Sequence, residues 1–407
     1  MPPQPSLSFT LPSIHDNTKL DCRIYQPYHS NPSNPSIPPY SSSSDPSWPR
    51  HAAVVAHPYA PLGGSYDDPV VHLVASTLLD LGFVVATFNF RGASSSSGRT
   101  SWTSKPERAD YMSVTGFLVY YMHYLTAPQN HARSIEEDNN SPPILLFAGY
   151  SYGAMVTLQL PPIDSFLSHF ASPATHTAFA DIRLRAQHLA EEQSTMSADP
   201  ASPRKSLGMR FGGDEDLSPR SRGKHRAHSP DPEEKIRRGV KDILSRSKFI
   251  HRRHHSPSAD RGTERNIEVP CLENVDNLIR FRPAYLLVSP PLGFVTNLAT
   301  MSFSNLWPKK RKDGRTKNLE DYTKREESEV ETEAKLTANP TLVIYGDHDS
   351  FLSIRKMRDW ATKLSNVEGS RFRYVEVLTA GHFWIEHGVS QELREAVYSF
   401  SAGLVKS

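Results

Sequence analysis

Gly149-Tyr150-Ser151-Tyr152-Gly153 follows the apolar run Ile144-Leu145-Leu146-Phe147-Ala148 and precedes Ala154-Met155-Val156-Thr157-Leu158. Two apolar runs joined by a pentapeptide with glycine at each end predict a buried strand that turns sharply into a helix, with Ser151 at the turn. A serine hydroxyl is a poor nucleophile until a base removes its proton, and flanking glycines let it project clear of neighbouring side chains. The helix start behind it would add backbone N–H groups and a positive dipole end near a developing oxyanion.

Upstream, Leu7, Phe9 and Leu11 alternate with polar residues, as do Leu20, Cys22 and Ile24 after the turn-like His15-Asp16-Asn17-Thr18. This predicts an opening β-hairpin. Residues 31–49 read as a Pro/Ser-rich surface loop. The run Ala52-Ala53-Val54-Val55-Ala56 has the continuous apolar character of a strand buried on both faces, and it leads into His57-Pro58-Tyr59-Ala60-Pro61-Leu62-Gly63-Gly64. Asp68-Pro69 predicts a capped helix start, Val70, Val71, Val74, Leu78 and Leu81 its apolar stripe, and Gly82 its end. The strand Phe83 to Phe88 closes with Asn89-Phe90-Arg91-Gly92, and residues 107–125 carry apolar side chains at helical spacing.

Downstream, Pro161-Pro162 ends the helix after Ser151, and an amphipathic helix is expected around Phe179, Ile182, Ala186 and Leu189. A weaker one is expected around Ile236, Val240, Ile243 and Leu244. Strands are predicted at Ala284 to Val288, Thr341 to Tyr345 and Phe372 to Leu378, with helices at Ile354 to Leu364 and Ser390 to Leu404. Strands alternating with helices predict an α/β fold with a doubly wound, mostly parallel sheet and flanking helices. The expected division is a hairpin and loop at 1–49, a first half-domain at 50–160, a basic and largely disordered insertion at 161–283, a strand and pocket loop at 284–307, a second charged insertion at 308–337, and a C-terminal part at 338–407.

Composition agrees with a folded domain carrying unfolded stretches: only 37% of the 407 residues are hydrophobic and 33 are proline. The formal charge of +2 conceals a basic segment between Arg204 and Arg265. Cys22 and Cys271 are the only cysteines, in no metal-ligand spacing, so neither a disulfide framework nor a metal site is expected and a reducing, cytoplasmic setting is. The first residues lack a basic flank and apolar core, and no run reaches spanning length, which predicts neither secretion nor a bilayer anchor.

The strand at 341–345 ends in Gly346-Asp347-His348-Asp349, and the last strand ends in Ala380-Gly381-His382-Phe383. In a parallel sheet these ends share an edge with Ser151, so a serine, an acid and a histidine meet at one rim. Their chain order is that of the α/β-hydrolase triad. The chain resembles α/β hydrolases, and among them small dienelactone-hydrolase-like enzymes. The resemblance is carried, in order, by residues 57–64, 88–92, 149–153, 346–349 and 381–383. It departs from the family in its two long insertions and in Tyr59, where relatives often have a second histidine.

The resemblance implies Ser151 as nucleophile, His382 as general base and then acid, and Asp349 as the group orienting the imidazole, with the amides of Tyr59 and Tyr152 as oxyanion hole and no cofactor or metal. Asp347 rivals Asp349 but suits a turn cap, and His387 rivals His382 but lies further from the strand end. His57 reads as a brace for the oxyanion loop, and Arg91 as a structural ion pair rather than a ligand for a substrate carboxylate. Pro291, Leu292, Phe294, Phe303 and Trp307, on the loop 289–307, are the expected apolar acyl or alcohol pocket, with a structural-core reading open for each.

The expected substrate is a small-molecule carboxylic ester or thioester; the alternatives are an acyltransferase with the same triad or a catalytically silent binding module, and a peptidase is less favoured because no propeller-like companion domain is visible in the sequence. Helix direction predicts that 161–283 leaves the domain remote from Ser151. Ser202-Pro203, Ser218-Pro219, Ser229-Pro230 and Ser256-Pro257 are candidate phosphorylation sites for a phosphorylation-dependent partner, against the plainer reading of unmodified linker. Arg237, Arg238, Lys241, Arg246 and Lys248 make peripheral contact with an anionic membrane a further expectation, while the near absence of aromatic residues from the arm argues against nucleic acid.

Overall fold

The computed structural model describes residues 4–27, 50–101, 103–130, 142–198, 232–253, 270–291 and 330–406. The Ser-Pro pairs and the expected pocket residues Leu292, Phe294, Phe303 and Trp307 lie outside them. All eight expected strands are present: β1 (Leu7–Pro12), β2 (Lys19–Tyr25), β3 (Ala52–Ala56), β4 (Val84–Phe88), β5 (Ile144–Tyr150), β6 (Arg282–Val288), β7 (Thr341–Gly346) and β8 (Phe372–Val377). They form one sheet in the order β1-β2-β4-β3-β5-β6-β7-β8. The β1–β2 and β2–β4 pairs are antiparallel, and every later pair is parallel. Strand order reverses between β3 and β5, so the loops after these two strands flank the crevice where open α/β sheets bind ligands.

Strands β3, β4 and β5 are buried along their whole length, which is why they read as unbroken apolar runs. Alternate residues serve opposite layers. Val55, Leu146, Leu286 and Ile344 pack with α1 (Pro69–Asp80) and α9 (Val389–Val405). Val54, Phe147, Leu287 and Val343 pack with α2 (Lys105–Asn130), α3 (Tyr152–Leu158) and α8 (Ile354–Ser365). Helix α1 begins as expected: Asp68 Oδ1 accepts the amides of Val70 and Val71, and Pro69 needs no acceptor.

The stretch 161–283 is less of a linker than its composition suggests. Helices α4 (Ile163–Ala171) and α5 (Ala178–Ala198) place Phe166, Phe170, Ile182, Ala186 and Leu189 in the same core as β5 and α2. Phe170 is fully buried, its ring lying where a side chain at Gly116 of α2 would have to go. Polar anchors hold the next helix, α6 (Pro232–Arg253). The Glu233 carboxylate accepts hydrogen bonds from Arg185 at 3.0 Å and Thr10 at 2.7 Å, and these outweigh burial to hold its pKa down to about 2. Ile236 of the same helix is 7% exposed.

The end of the 308–337 stretch is likewise structural. Residues 330–338 form helix α7, which buries Leu336 completely. Lys335 Nζ donates to the carbonyls of Leu158 and Leu160 at the end of α3. Burial lowers the pKa of that ammonium to about 8. Among the described residues no helix is long and apolar enough to cross a membrane.

If α4 and α5 are part of the core, Phe170→Ala leaves a cavity beneath α2 and should cost about 3 to 5 kcal/mol in urea unfolding. A loss under about 1 kcal/mol, the range of surface substitutions, would contradict this packing.

Candidate active site

The site begins with the backbone at Ser151. Its φ of 53° and ψ of −117° are strained for an L-residue, and they turn the chain from β5 directly into α3. The turn closes only because Gly149 and Gly153 lack side chains. A Cβ on Gly149 would overlap the backbone of Gly153 and Ala154, and one on Gly153 the backbone of Ala56 and His57 in the neighbouring strand end. The Ser151 amide donates to Val288 O of β6 at 2.9 Å, fixing the turn from its other side.

The ends of β7 and β8 deliver the partners. Ser151 Oγ lies 2.8 Å from His382 Nε2, and His382 Nδ1 lies 2.9 and 2.8 Å from the two carboxylate oxygens of Asp349. An Nδ1–H donated to the carboxylate leaves Nε2 as acceptor for the serine hydroxyl. The Ser151, Asp349 and His382 side chains are all nearly buried, with residue exposures of 9, 3 and 6%. Asp349 is steadied by the Phe351 amide at 2.9 Å. Asp347 instead accepts the Thr379 amide at 2.6 Å, the turn-capping part, and His387 is exposed.

Tyr150 holds the histidine loop in place. Its hydroxyl donates to His382 O at 2.7 Å, and Trp384 Nε1 donates to Ser289 Oγ at 3.2 Å. The Phe351 and His382 ring centroids are 4.5 Å apart. Reading the sequence alone missed Tyr150, whose only signal was its place as the first aromatic of the pentapeptide.

His57 is fully buried. Its Nδ1 lies 2.6 Å from Pro58 O and its Nε2 accepts the Phe90 amide at 2.9 Å, which together specify a neutral ring protonated at Nδ1. Burial lowers its pKa to about 4. The ring thus ties the loop after β3 to the end of β4. Arg91 is engaged by Asp110 at 2.6 Å and Asp16 at 2.9 Å. It is a structural cation.

A cavity of about 220 Å³ opens at Ser151 and His382. Tyr59 and Tyr152 border it with ring centroids 5.2 Å apart, and Leu62, Met155, Pro291 and Phe383 supply apolar wall. Among the described residues neither the Tyr59 nor the Tyr152 amide has an acceptor within the protein. Polar atoms come from Ser101, Ser104 and Asp68. Asp68, read from sequence only as a helix cap, is drawn into the cavity because α1 starts directly beyond the loop after β3. Burial is the largest influence on Asp68 and raises its pKa. Burial raises the pKa of the Tyr150 and Tyr152 phenols as well. No described residue of 161–283 borders the cavity. Among the described residues no group of three or more His, Cys, Asp or Glu is placed to hold a metal ion.

His51, like His57, is held neutral by burial, with a pKa of about 4. A histidine whose pKa is lower folded than unfolded gains a proton on unfolding, so its stabilisation is complete above about 6.5 and is lost as pH falls towards about 4. His57→Gln should therefore flatten the fall in urea midpoint between pH 7 and pH 5 relative to wild type. An unchanged slope would contradict a buried neutral ring.

Residues 285–407 match the model of the prolyl oligopeptidase family of peptidases. No curated protein sequence matches the chain. Solved structures with similar architecture include a lidless α/β serine hydrolase from Xanthomonas campestris, at 16% identity and TM-score 0.42 over 98% of this chain and 96% of that one. An α/β serine hydrolase homologue from Coxiella burnetii aligns at 14% identity and TM-score 0.41, over 97% of each chain. Est1E from Butyrivibrio proteoclasticus, with ferulic acid bound, aligns at 10% and TM-score 0.42, over 98% of this chain and all of that one. TM-scores below 0.5 leave the fold resting on the chain's own strand order and turn. The family match spans β6 to β8, whose strand ends carry Asp349 and His382, and the strand order and the turn at Ser151 are those of an α/β-hydrolase fold.

Proposed function

We propose that the protein is a serine hydrolase that cleaves a small carboxylic ester or thioester through an acyl-enzyme. The observation that carries this reading is the unbroken run of hydrogen bonds from Ser151 Oγ through His382 to Asp349, on a strained turn that opens into a cavity. His382 Nε2 takes the hydroxyl proton as Ser151 Oγ attacks the substrate carbonyl, and Asp349 stabilises the imidazolium that forms. The oxyanion is received by the amides of Tyr152 and Tyr59, each worth roughly 3 to 4 kcal/mol in comparable sites. His382 then protonates the leaving alcohol or thiol. Water, deprotonated by the same imidazole, releases the acid and restores Ser151.

The modest cavity and the resemblance to dienelactone-hydrolase-like enzymes favour a short acyl or alcohol group. The match over 285–407 to a peptidase family favours a second reading, in which the bond cleaved is a peptide bond. The chemistry is shared, and the leaving amine depends more heavily on proton donation by His382.

Hydrolysis of p-nitrophenyl butyrate and of Gly-Pro-p-nitroanilide, compared in wild type and variants, separates the two. Ester cleavage should dominate, with kcat reduced roughly 10³-fold or more in Ser151→Ala and roughly 10⁴-fold in Asp349→Asn. Ester cleavage by Ser151→Ala within twofold of wild type would refute the proposal. Cleavage of the anilide in preference to the ester would favour the peptidase reading.

A further inference from the structure

Among the described residues bordering the cavity, Asp68 is the only carboxylic acid, and neither lysine nor arginine borders the cavity to meet it. Its Oδ1 accepts the amides of Val70 at 2.8 Å and Val71 at 3.4 Å. Among the described residues Oδ2 accepts no hydrogen bond, and Asp68 borders the cavity. His382 does not take it, because both ring nitrogens are already committed to Ser151 and Asp349. Capping α1 does not require a charge there: asparagine, serine or threonine would satisfy the same amides. A partly buried carboxylate facing an apolar cavity is costly unless a positive group joins it.

The remaining walls suit such a group. Tyr59, Tyr150, Tyr152, Phe351 and Phe383 all border the cavity. Aromatic faces attract organic cations, most strongly where water is excluded. A carboxylate and several rings around one small space form a receptor for an alkylammonium head, and a poor one for a second carboxylate.

We propose that Asp68 and the surrounding rings bind an organic ammonium group on the substrate, so that the preferred substrate is an ester or thioester bearing an alkylammonium on its alcohol or acyl side. This rests on Ser151 being the nucleophile only in so far as the bound molecule is a substrate. Charge selection itself is a property of the cavity. Asp68 acts here as a specificity-determining residue and takes no part in proton transfer.

Two isosteric pairs test it on the full chain. In the binding arm, choline and 3,3-dimethylbutan-1-ol are compared by calorimetry. In the turnover arm, acetylthiocholine and its carbon isostere, the 3,3-dimethylbutyl thioester of acetic acid, are compared by kcat/KM. Wild type should favour the cationic member of each pair roughly tenfold, the scale expected of one charge and aromatic contact in a partly desolvated site. Asp68→Asn, which preserves the helix cap, should bring both ratios close to one. Equal binding of the two alcohols by wild type, no detectable binding of choline, or an undiminished preference in Asp68→Asn would each overturn the inference. Ser151-dependent cleavage without charge preference defeats the inference and leaves the hydrolase reading standing. Charge-selective binding with neither thioester cleaved does the reverse.

Discussion

The turn at Ser151 is the constraint on which the rest of the molecule depends. A serine with positive φ is held between two glycines that tolerate backbone contact on both sides, against the end of β3 and against β6 through its amide. Strain of this kind persists only where surrounding structure over-determines it. Here the central strands do so. Because β3, β5 and β6 are parallel and in register, the chain leaving β5 can turn only at the sheet edge, and Ser151 is presented there.

The same edge explains why Ser151 and His382, 231 positions apart, converge. Strands β7 and β8 extend the parallel sheet, so whatever follows them arrives beside Ser151. The histidine loop is then pinned from inside by Tyr150 and Trp384, and the loop after β3 by the neutral ring of His57. Both braces use buried polar atoms that are paired, the condition under which such networks rigidify a site. The cavity between the loops combines aromatic surface with the carboxylate of Asp68, and the hydrolase chemistry and the charge selection we infer use different atoms of one small space.

Much of this was legible in the sequence because central strands announce themselves. Runs such as Val84 to Phe88 and Ile144 to Ala148 are buried on both faces and must be apolar throughout. The cap at Asp68-Pro69 and the acid and histidine after two late strands were readable for similarly local reasons. The order of strands was not, since it depends on which parallel pairings close the core. Helices α4 to α6 were understated because their packing uses scattered residues such as Phe170 and the partly buried Arg185–Glu233 pair within polar sequence. Lys335 looked like one more charge in a charged run, yet its ammonium caps α3. Asp68 was visible as a cap, and only the placement of α1 against the loop after β3 brings it to the border of the cavity.

The account stands or falls on whether the Ser151 hydroxyl is activated by its neighbours. Treating the intact chain with a fluorophosphonate at neutral pH and mapping the adduct by peptide mass spectrometry addresses that directly. A single adduct on the peptide containing Ser151, absent when His382 is replaced by alanine, is the predicted result. No adduct, or one spread over other serines and indifferent to His382, would contradict it.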